Sequence, residues 1–107
     1  MSKFICDTCG RDVLPVDGIV SWTRDDKKLG NFKLTHKDTQ DSKCQPENNR
    51  YRELYTLTLA NGYLEFISYL LERWEDNFIL DDPKSLRKVM GQLNLHIHEK
   101  LLLLMED

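Results

Sequence analysis

The sequence predicts an α+β fold, in which a two-stranded β-hairpin near the N-terminus packs on a C-terminal bundle of about three helices. Residues 19–23 are mostly β-branched or aromatic, which favours a strand. Residues 32–36 alternate apolar and polar side chains, so Phe32, Leu34 and His36 share one face of a second strand. From Asn61 onward apolar residues recur at steps of three and four, the period of an amphipathic helix.

The connections between these elements follow from their polar and turn-forming residues. A turn is expected at residues 13–17 around Pro15, and the polar segment 25–30 is expected to close the hairpin. Residues 37–50 are polar and predict a loop that Cys44 holds in place. Residues 51–59 fit either a short helix or an extended segment, because their period favours neither.

Three helices are expected in the C-terminal part. Asn61 is a suitable N-cap for the first, and Asp82 followed by Pro83 is a typical start for the second. Asn94 is expected to end the second helix, and the third covers about 97–105. The apolar run 101–104 belongs either at the centre of the core or partly under a partner. The expected apolar residues are Tyr63, Phe66, Ile67, Leu70, Leu71, Trp74 and Phe78, then Leu86, Val89, Met90 and Leu93, and then Leu101, Leu102, Leu104 and Met105.

A chain of 107 residues is expected to form one domain, 1–107. Within it, residues 1–45 are a β-hairpin module and 46–107 a helical part. The first 45 residues are too polar and too few to build a core, and segments of this size usually need a metal, disulfides or a partner.

The cysteines predict the metal site that such a module needs. Cys6 and Cys9 are separated by two residues and followed by Gly10, the pattern of a zinc knuckle, and Cys44 is the only other cysteine. With His36 the spacing is C-x2-C-x26-H-x7-C, which supplies the four sulfur and nitrogen ligands that tetrahedral zinc prefers. We therefore expect one structural Zn²⁺ per chain, bound by Cys6, Cys9, His36 and Cys44.

Other interpretations of these residues are weaker. A redox-active Cys pair of the thioredoxin type requires a βαβ context, which the sequence lacks. His96 or His98 is the rival fourth ligand, although a helix would point their rings well apart. Four protein ligands leave no open position on the metal, which indicates a structural and not a catalytic ion.

The knuckle, the hairpin and the later ligand pair resemble the zinc-ribbon and treble-clef class of metal modules. Most of the chain is also similar to small bacterial zinc-binding proteins of unknown function, which have a Trp-containing hairpin and end in short helices. The matching residues are Cys6, Cys9, Gly10, Trp22, His36 and Cys44. The chain departs from a standard zinc ribbon because it lacks a second C-x2-C pair. The resemblance implies a zinc site and no activity.

The charge and the hydropathy of the sequence limit which partners and which location we expect. The net charge of −3 argues against broad sequence-independent DNA binding, which needs a basic face. No apolar run reaches the roughly 18 residues of a transmembrane helix, and the N-terminus lacks the apolar core of a signal peptide. We expect a cytoplasmic protein without a membrane partner, and three cysteines, an odd number, fit a reducing compartment.

The function expected first is a non-catalytic protein-interaction or regulatory module. Tyr51, Tyr55 and Tyr69 are candidates for exposed partner anchors, or they cap the core. The leucine-rich last helix is a candidate surface for self-association.

Two other classes are less favoured. A zinc-dependent nucleic-acid-binding regulator would use Arg24, Lys27 and Lys28 at the hairpin tip, but acidic residues interrupt this patch. Lys33 and Lys37 lie nearby. An enzyme is not expected, because no nucleophile or phosphate loop accompanies its candidate acid–base residues. Those candidates are His96, His98 and Glu99, and a carboxylate cluster of Glu72, Glu75 and Asp76.

Overall fold

The computed structural model describes residues 4–37 and 43–105, with the backbone only for 103–105. It confirms the α+β class, with a two-stranded sheet, a four-stranded sheet and C-terminal helices. The strands are β1 (Phe4–Ile5), β2 (Asp12–Val13), β3 (Gly18–Asp25), β4 (Lys28–His36), β5 (Arg50–Glu53) and β6 (Ile79–Leu80). The helices are α1 (Leu54–Leu57), α2 (Ala60–Glu75) and α3 (Pro83–Met105).

The hairpin β3–β4 is the centre of the larger sheet, whose strand order is β5-β3-β4-β6. Its strands are longer than predicted, because only Asp26 and Lys27 separate them and Asp26 adopts the left-handed φ of 51°. Trp22 lies where the β3–β4 register shifts, and its buried ring stacks on Phe32 with 5.7 Å between the ring centroids. The hairpin therefore contributes two of the buried aromatic rings of the core, beside Phe4 of β1 and Phe66 of α2.

Two further strands extend the predicted hairpin. β5 pairs antiparallel with β3, and α1 follows directly. The segment 51–59 thus contains both of the conformations that its sequence allowed. β6 pairs parallel with β4 through two residues, which is too short a strand for a periodic signal.

The two long helices begin near their predicted starts. The N-cap of α2 is Leu59, so Asn61 lies in the first turn instead of at the cap. Asp82 precedes α3 as expected, and its carbonyl accepts hydrogen bonds from the backbone N–H and the hydroxyl of Ser85. The predicted break at Asn94 is wrong, because α3 continues through it. The Asn94 side chain instead accepts a hydrogen bond from the Tyr63 hydroxyl.

Helices α2 and α3 lie side by side and antiparallel. Tyr63 in the first turn of α2 contacts Asn94, and Lys100 donates to the carbonyl of Thr58, just before α2. Near the other end of α2, Leu70 lines the same groove as Leu86. Phe66, Val89 and Leu93 join the core cluster that contains Trp22 and Phe32.

The apolar stripe of α2 is only partly buried. Phe66 is fully buried, while Leu71 and Trp74 are 49% and 72% exposed. Leu101 and Leu102 are exposed, so they do not belong to the core, and cover by a partner stays a prediction. The predictions for residues 38–42 and for the side chains of Leu104 and Met105 concern positions outside the described residues. Within the described ranges, no helix is both long and apolar enough to cross a membrane.

Candidate metal centre

Three separate segments bring Cys6, Cys9, His36 and Cys44 together. Their ligand atoms all lie within 4.8 Å of one another, so the cluster could hold a metal ion. Cys6 and Cys9 belong to the turn between β1 and β2, His36 is the last residue of β4, and Cys44 lies in the irregular segment before β5. Cys6 and Cys44 are buried, whereas Cys9 is exposed.

The turn that carries Cys6 and Cys9 is held by hydrogen bonds to Cys6. The backbone N–H groups of Thr8 and Cys9 face the Cys6 sulfur at 3.4 and 3.5 Å. The N–H of Gly10 donates to the Cys6 carbonyl at 2.9 Å. Gly10 has a left-handed φ of 77°, which costs glycine little and other residues more. This explains why glycine follows the C-x2-C motif.

His36 is held in the tautomer that a metal ligand needs. Its Nε2 lies 3.0 Å from the carbonyl oxygen of Asp12, which only accepts hydrogen bonds, so Nε2 carries the proton. In the neutral ring Nδ1 is then the nitrogen with the free lone pair, and it faces the Cys9 sulfur at 3.5 Å. A ligand histidine is typically oriented in this way by a carbonyl or carboxylate on its other ring nitrogen.

The separations are compatible with ligands that share one metal ion. Bond lengths of about 2.3 Å to sulfur and 2.05 Å to nitrogen place a tetrahedral S and N about 3.6 Å apart. The Cys9–His36 distance of 3.5 Å agrees with this value. The same bond lengths place two sulfurs about 3.8 Å apart. Since no pair is farther apart than 4.8 Å, closing the set around an ion requires a movement of about 1 Å at most.

Cys44 is positioned by a hydrogen bond from the knuckle. The Thr8 hydroxyl donates to the Cys44 carbonyl at 2.7 Å, so the residue between the first two cysteines orients the third. Because Cys44 is 3% exposed, its sulfur is held inside the cluster.

The surroundings of both knuckle thiols favour the thiolate, which is the form that binds metal. Burial raises the pKa of Cys6, but hydrogen bonds from the backbone of Cys9, His36 and Thr8 outweigh it, and the pKa is lowered. The pKa of Cys9 is lowered by the backbone N–H and then by the side chain of Arg11.

Asp7 connects this turn to the rest of the fold, a role that the sequence reasoning missed. Its N–H donates to the Leu34 carbonyl, and its carboxylate accepts from the Leu34 N–H, each at 2.8 Å. The second carboxylate oxygen pairs with Lys88 of α3 at 2.8 Å, and this contact raises the pKa of Lys88. Only an acidic residue between two cysteines marks this role in the sequence, and such a signal is too common to be specific.

The rival histidines lie elsewhere. His96 packs against Phe4 with 5.0 Å between the ring centroids and an angle of 36° between the rings, and its buried Nε2 has no hydrogen-bond partner among the described residues. His98 is exposed on α3. The proposed carboxylate cluster sits at the end of α2, where Arg73 pairs with Glu72 and Asp76 at 3.5 and 3.6 Å.

Some of the expected partner anchors and hairpin-tip cations are exposed, and others pack on neighbouring side chains. Tyr51 and Tyr55 are exposed, whereas Tyr69 packs on the core and accepts a hydrogen bond from the Trp22 indole. Arg24 and Lys27 both lie over the ring of Phe78, at 4.9 and 5.1 Å. Lys37 pairs with Glu53 at 2.6 Å.

Comparisons with family models, curated proteins and solved structures gave no match.

Proposed function

We propose that this chain is a small non-catalytic zinc-binding protein that works as a protein-interaction or regulatory module. One structural Zn²⁺ per chain is held by Cys6, Cys9, His36 and Cys44. The observation that carries this proposal is the orientation of His36. Its Nε2 is committed to the Asp12 carbonyl, so the free Nδ1 faces a cysteine whose pKa is already lowered.

A structural role for the ion is supported by the number and origin of its ligands. Four protein ligands complete a tetrahedral shell and leave no position for a substrate or a reactive water. The ion would tie the knuckle, the end of β4 and the segment around Cys44, in addition to the hydrogen bonds that Asp7 and Thr8 make between them. A structural ion of this kind adds its binding free energy to folding.

An interaction role is supported by the large apolar side chains that the fold leaves in solvent. Tyr51 is 63% exposed, Tyr55 is 50% exposed and Trp74 is 72% exposed. Tyrosine and tryptophan are the residues most often found at the centre of protein interfaces. The partner we propose is therefore another protein. A nucleic-acid role is less favoured, since the tip cations Arg24 and Lys27 already pack on Phe78.

The test is the metal content of the purified protein, measured by mass spectrometry on the wild type and on matched variants. We expect one zinc per chain, retained in His98→Gln and lost or strongly reduced in His36→Gln and Cys44→Ser. His98 is the control because it is an exposed histidine outside the cluster. A folded wild-type protein that contains no metal and takes none up from zinc solution would refute the proposal.

A further inference from the structure

The outward surface of α2 carries a line of exposed side chains. Leu64, Ser68, Leu71 and Glu75 are all exposed, and their spacing of four, three and four residues places them along one face. Leu64 and Leu71 are 60% and 49% exposed, and this face lies away from the buried Phe66. Trp74, the most exposed large apolar residue, borders the same line.

Helix α3 carries a matching line. Its members are spaced by three or four residues, are all exposed, and lie away from the buried Val89 and Leu93. They are Lys84, Arg87, Gly91, Leu95, His98 and Leu102. Gly91 leaves a notch in this line, since a Cβ placed there would meet nothing within 4 Å.

The contacts between α2 and α3 show the level of each of these residues, meaning its height along the common direction of the two helices. Tyr63 lies level with Asn94, and Leu70 lies near Leu86. A helix rises about 1.5 Å per residue, so Leu64 lies within a turn of Leu95, and Glu75 lies within a turn of Lys84. Gly91 falls at a level between Leu64 and Leu71.

The two faces carry opposite charges. Helix α2 contains three glutamates and one arginine, and that arginine, Arg73, already pairs with Glu72 and Asp76. Residues 83–98 of α3 contain two lysines and one arginine and no acidic residue. Two α2 faces would repel each other, whereas an α2 face and an α3 face attract.

We propose that the partner is a second copy of this chain, and that two copies pair through the α2–α3 faces about a two-fold axis parallel to the helices. This rests on the proposed role as an interaction module and names its partner. The axis sets α2 of each copy antiparallel against α3 of the other and keeps their levels. Leu64 then meets Leu95 of the partner subunit, Glu75 meets Lys84 of the partner subunit, and the notch at Gly91 lets the helices approach.

The first test is sedimentation equilibrium of the zinc-loaded protein over a wide concentration range. We expect a monomer–dimer equilibrium. Glu75→Lys and Lys84→Glu should each raise its dissociation constant about tenfold, because the two-fold axis gives the dimer two Glu75–Lys84 pairs and each variant makes both pairs like-charged. The double variant restores opposite charges and should return to within about threefold of the wild-type dissociation constant. Glu47→Lys is the control, since it makes the same charge change at an exposed position away from both helices.

A second variant tests the notch. Gly91→Phe fills it with a ring that the single chain has room for, so the helical circular dichroism should be retained while the dimer is lost. Zinc content is measured on every sample. A zinc-loaded wild type that stays monomeric overturns the dimer and leaves the zinc site intact, whereas a metal-free folded protein overturns the zinc proposal. A dimer that the double variant fails to restore, or that tolerates Gly91→Phe, overturns this arrangement.

Discussion

At the scale of single residues, Asp7 connects the metal cluster to both layers of the fold. Its side chain is only 5% exposed; it accepts a hydrogen bond from Leu34 in β4 and forms an ion pair with Lys88 in α3. A buried carboxylate is tolerated when its oxygens are paired in this way. The residue therefore holds the knuckle at a defined position against the sheet and the helix.

We predict that Asp7→Ala lowers the free energy of unfolding of the zinc-loaded protein by about 1–3 kcal/mol, because it leaves the Leu34 N–H without a partner. The loss of the Lys88 ion pair adds little, because the Lys88 side chain is 68% exposed. Asp7→Asn keeps one acceptor for Leu34 and should cost about half as much. Chemical denaturation measures both, and Glu47→Ala at an exposed site should change stability by less than about 0.5 kcal/mol. Equal losses for Ala and Asn would contradict the role given to the Leu34 bond.

His96 makes a second residue-level prediction. Burial, followed by the charge of Lys100, lowers the pKa of His96, although Glu99 opposes this. The folded protein therefore protonates His96 only at a lower pH than the unfolded chain, which binds a proton near the ordinary pKa of about 6.5. As the pH falls below that value, the unfolded state binds more protons and stability is lost, until the lowered pKa of the folded state is passed.

The measurement is the free energy of unfolding at about pH 7.5 and pH 5.5 for the wild type and for His96→Phe. Acid also weakens metal binding, but it does so in both proteins, so the difference between them isolates His96. We expect the wild type to lose more stability than the variant over this interval. An identical loss in the two proteins would exclude His96 as a source of acid sensitivity.

At the scale of elements, two helical glycines have opposite roles. Gly62 in α2 lies against α1, and a Cβ at this position would sit 1.9 Å from the carbonyl oxygen of Thr56. Gly91 in α3 faces open space. Close backbone contact between α1 and α2 thus requires the first glycine, while no contact among the described residues requires the second.

We therefore predict effects of opposite sign for the same substitution. Gly91→Ala should stabilise the monomeric protein by about 1 kcal/mol, the difference in helix propensity between the two residues. Gly62→Ala has the same propensity gain but should destabilise by about 1–3 kcal/mol, because α1 must move to relieve the clash. Thermal and chemical denaturation of the pair provide the test, each variant serving as the control for the other. Stabilisation by both would show that α1 moves away at no cost.

Local signals explain which elements could be predicted. Alternation predicted the hairpin, and Asp82-Pro83 predicted the start of α3, because both are written in neighbouring residues. Strand β6 has two residues and depends on pairing with a strand about fifty positions earlier, so no local pattern reveals it. Asn94 suggested a break, since asparagine is a weak helix former, but its contact with Tyr63 and the packing of α3 on β4 outweigh that preference.

At the scale of the whole molecule, the metal cluster joins the small β1–β2 sheet to the end of the large one. The core cluster contains Trp22, Phe66 and Leu93 along the helices and the middle of the hairpin, and it extends to Cys6 and Cys44 at this end. The ion that we propose would stabilise one end of the molecule more than the other, and stability in proteins can differ between regions in this way.

We predict that a strong zinc chelator lowers the melting temperature by more than about 10 °C, since each kcal/mol lost corresponds to roughly 4–8 °C in a domain of this size. Hydrogen exchange should quicken first at residues 4–13 and 43–45, and least in α2 and the first half of α3. Excess zinc should reverse both changes, which is the control for an effect of the chelator itself. A melting temperature that does not respond to chelation would contradict a structural ion.

The sequence by itself determined the fold class and the three cysteines of the cluster, because cysteine spacing and strand alternation are local and specific. It favoured His36 over His96 and His98 as the fourth member, and the folded chain places His36 there. Only the tertiary structure decided which apolar residues of α2 and α3 face solvent. The apolar stripe of α2 is so wide that its pattern does not show which of its residues face the core. Their burial depends on which neighbouring element covers them. Likewise, the orientation of His36 comes from Asp12, a residue 24 positions away that no spacing rule connects to it. The knuckle was visible in the sequence, but the contacts that orient its ligands exist only in the folded chain.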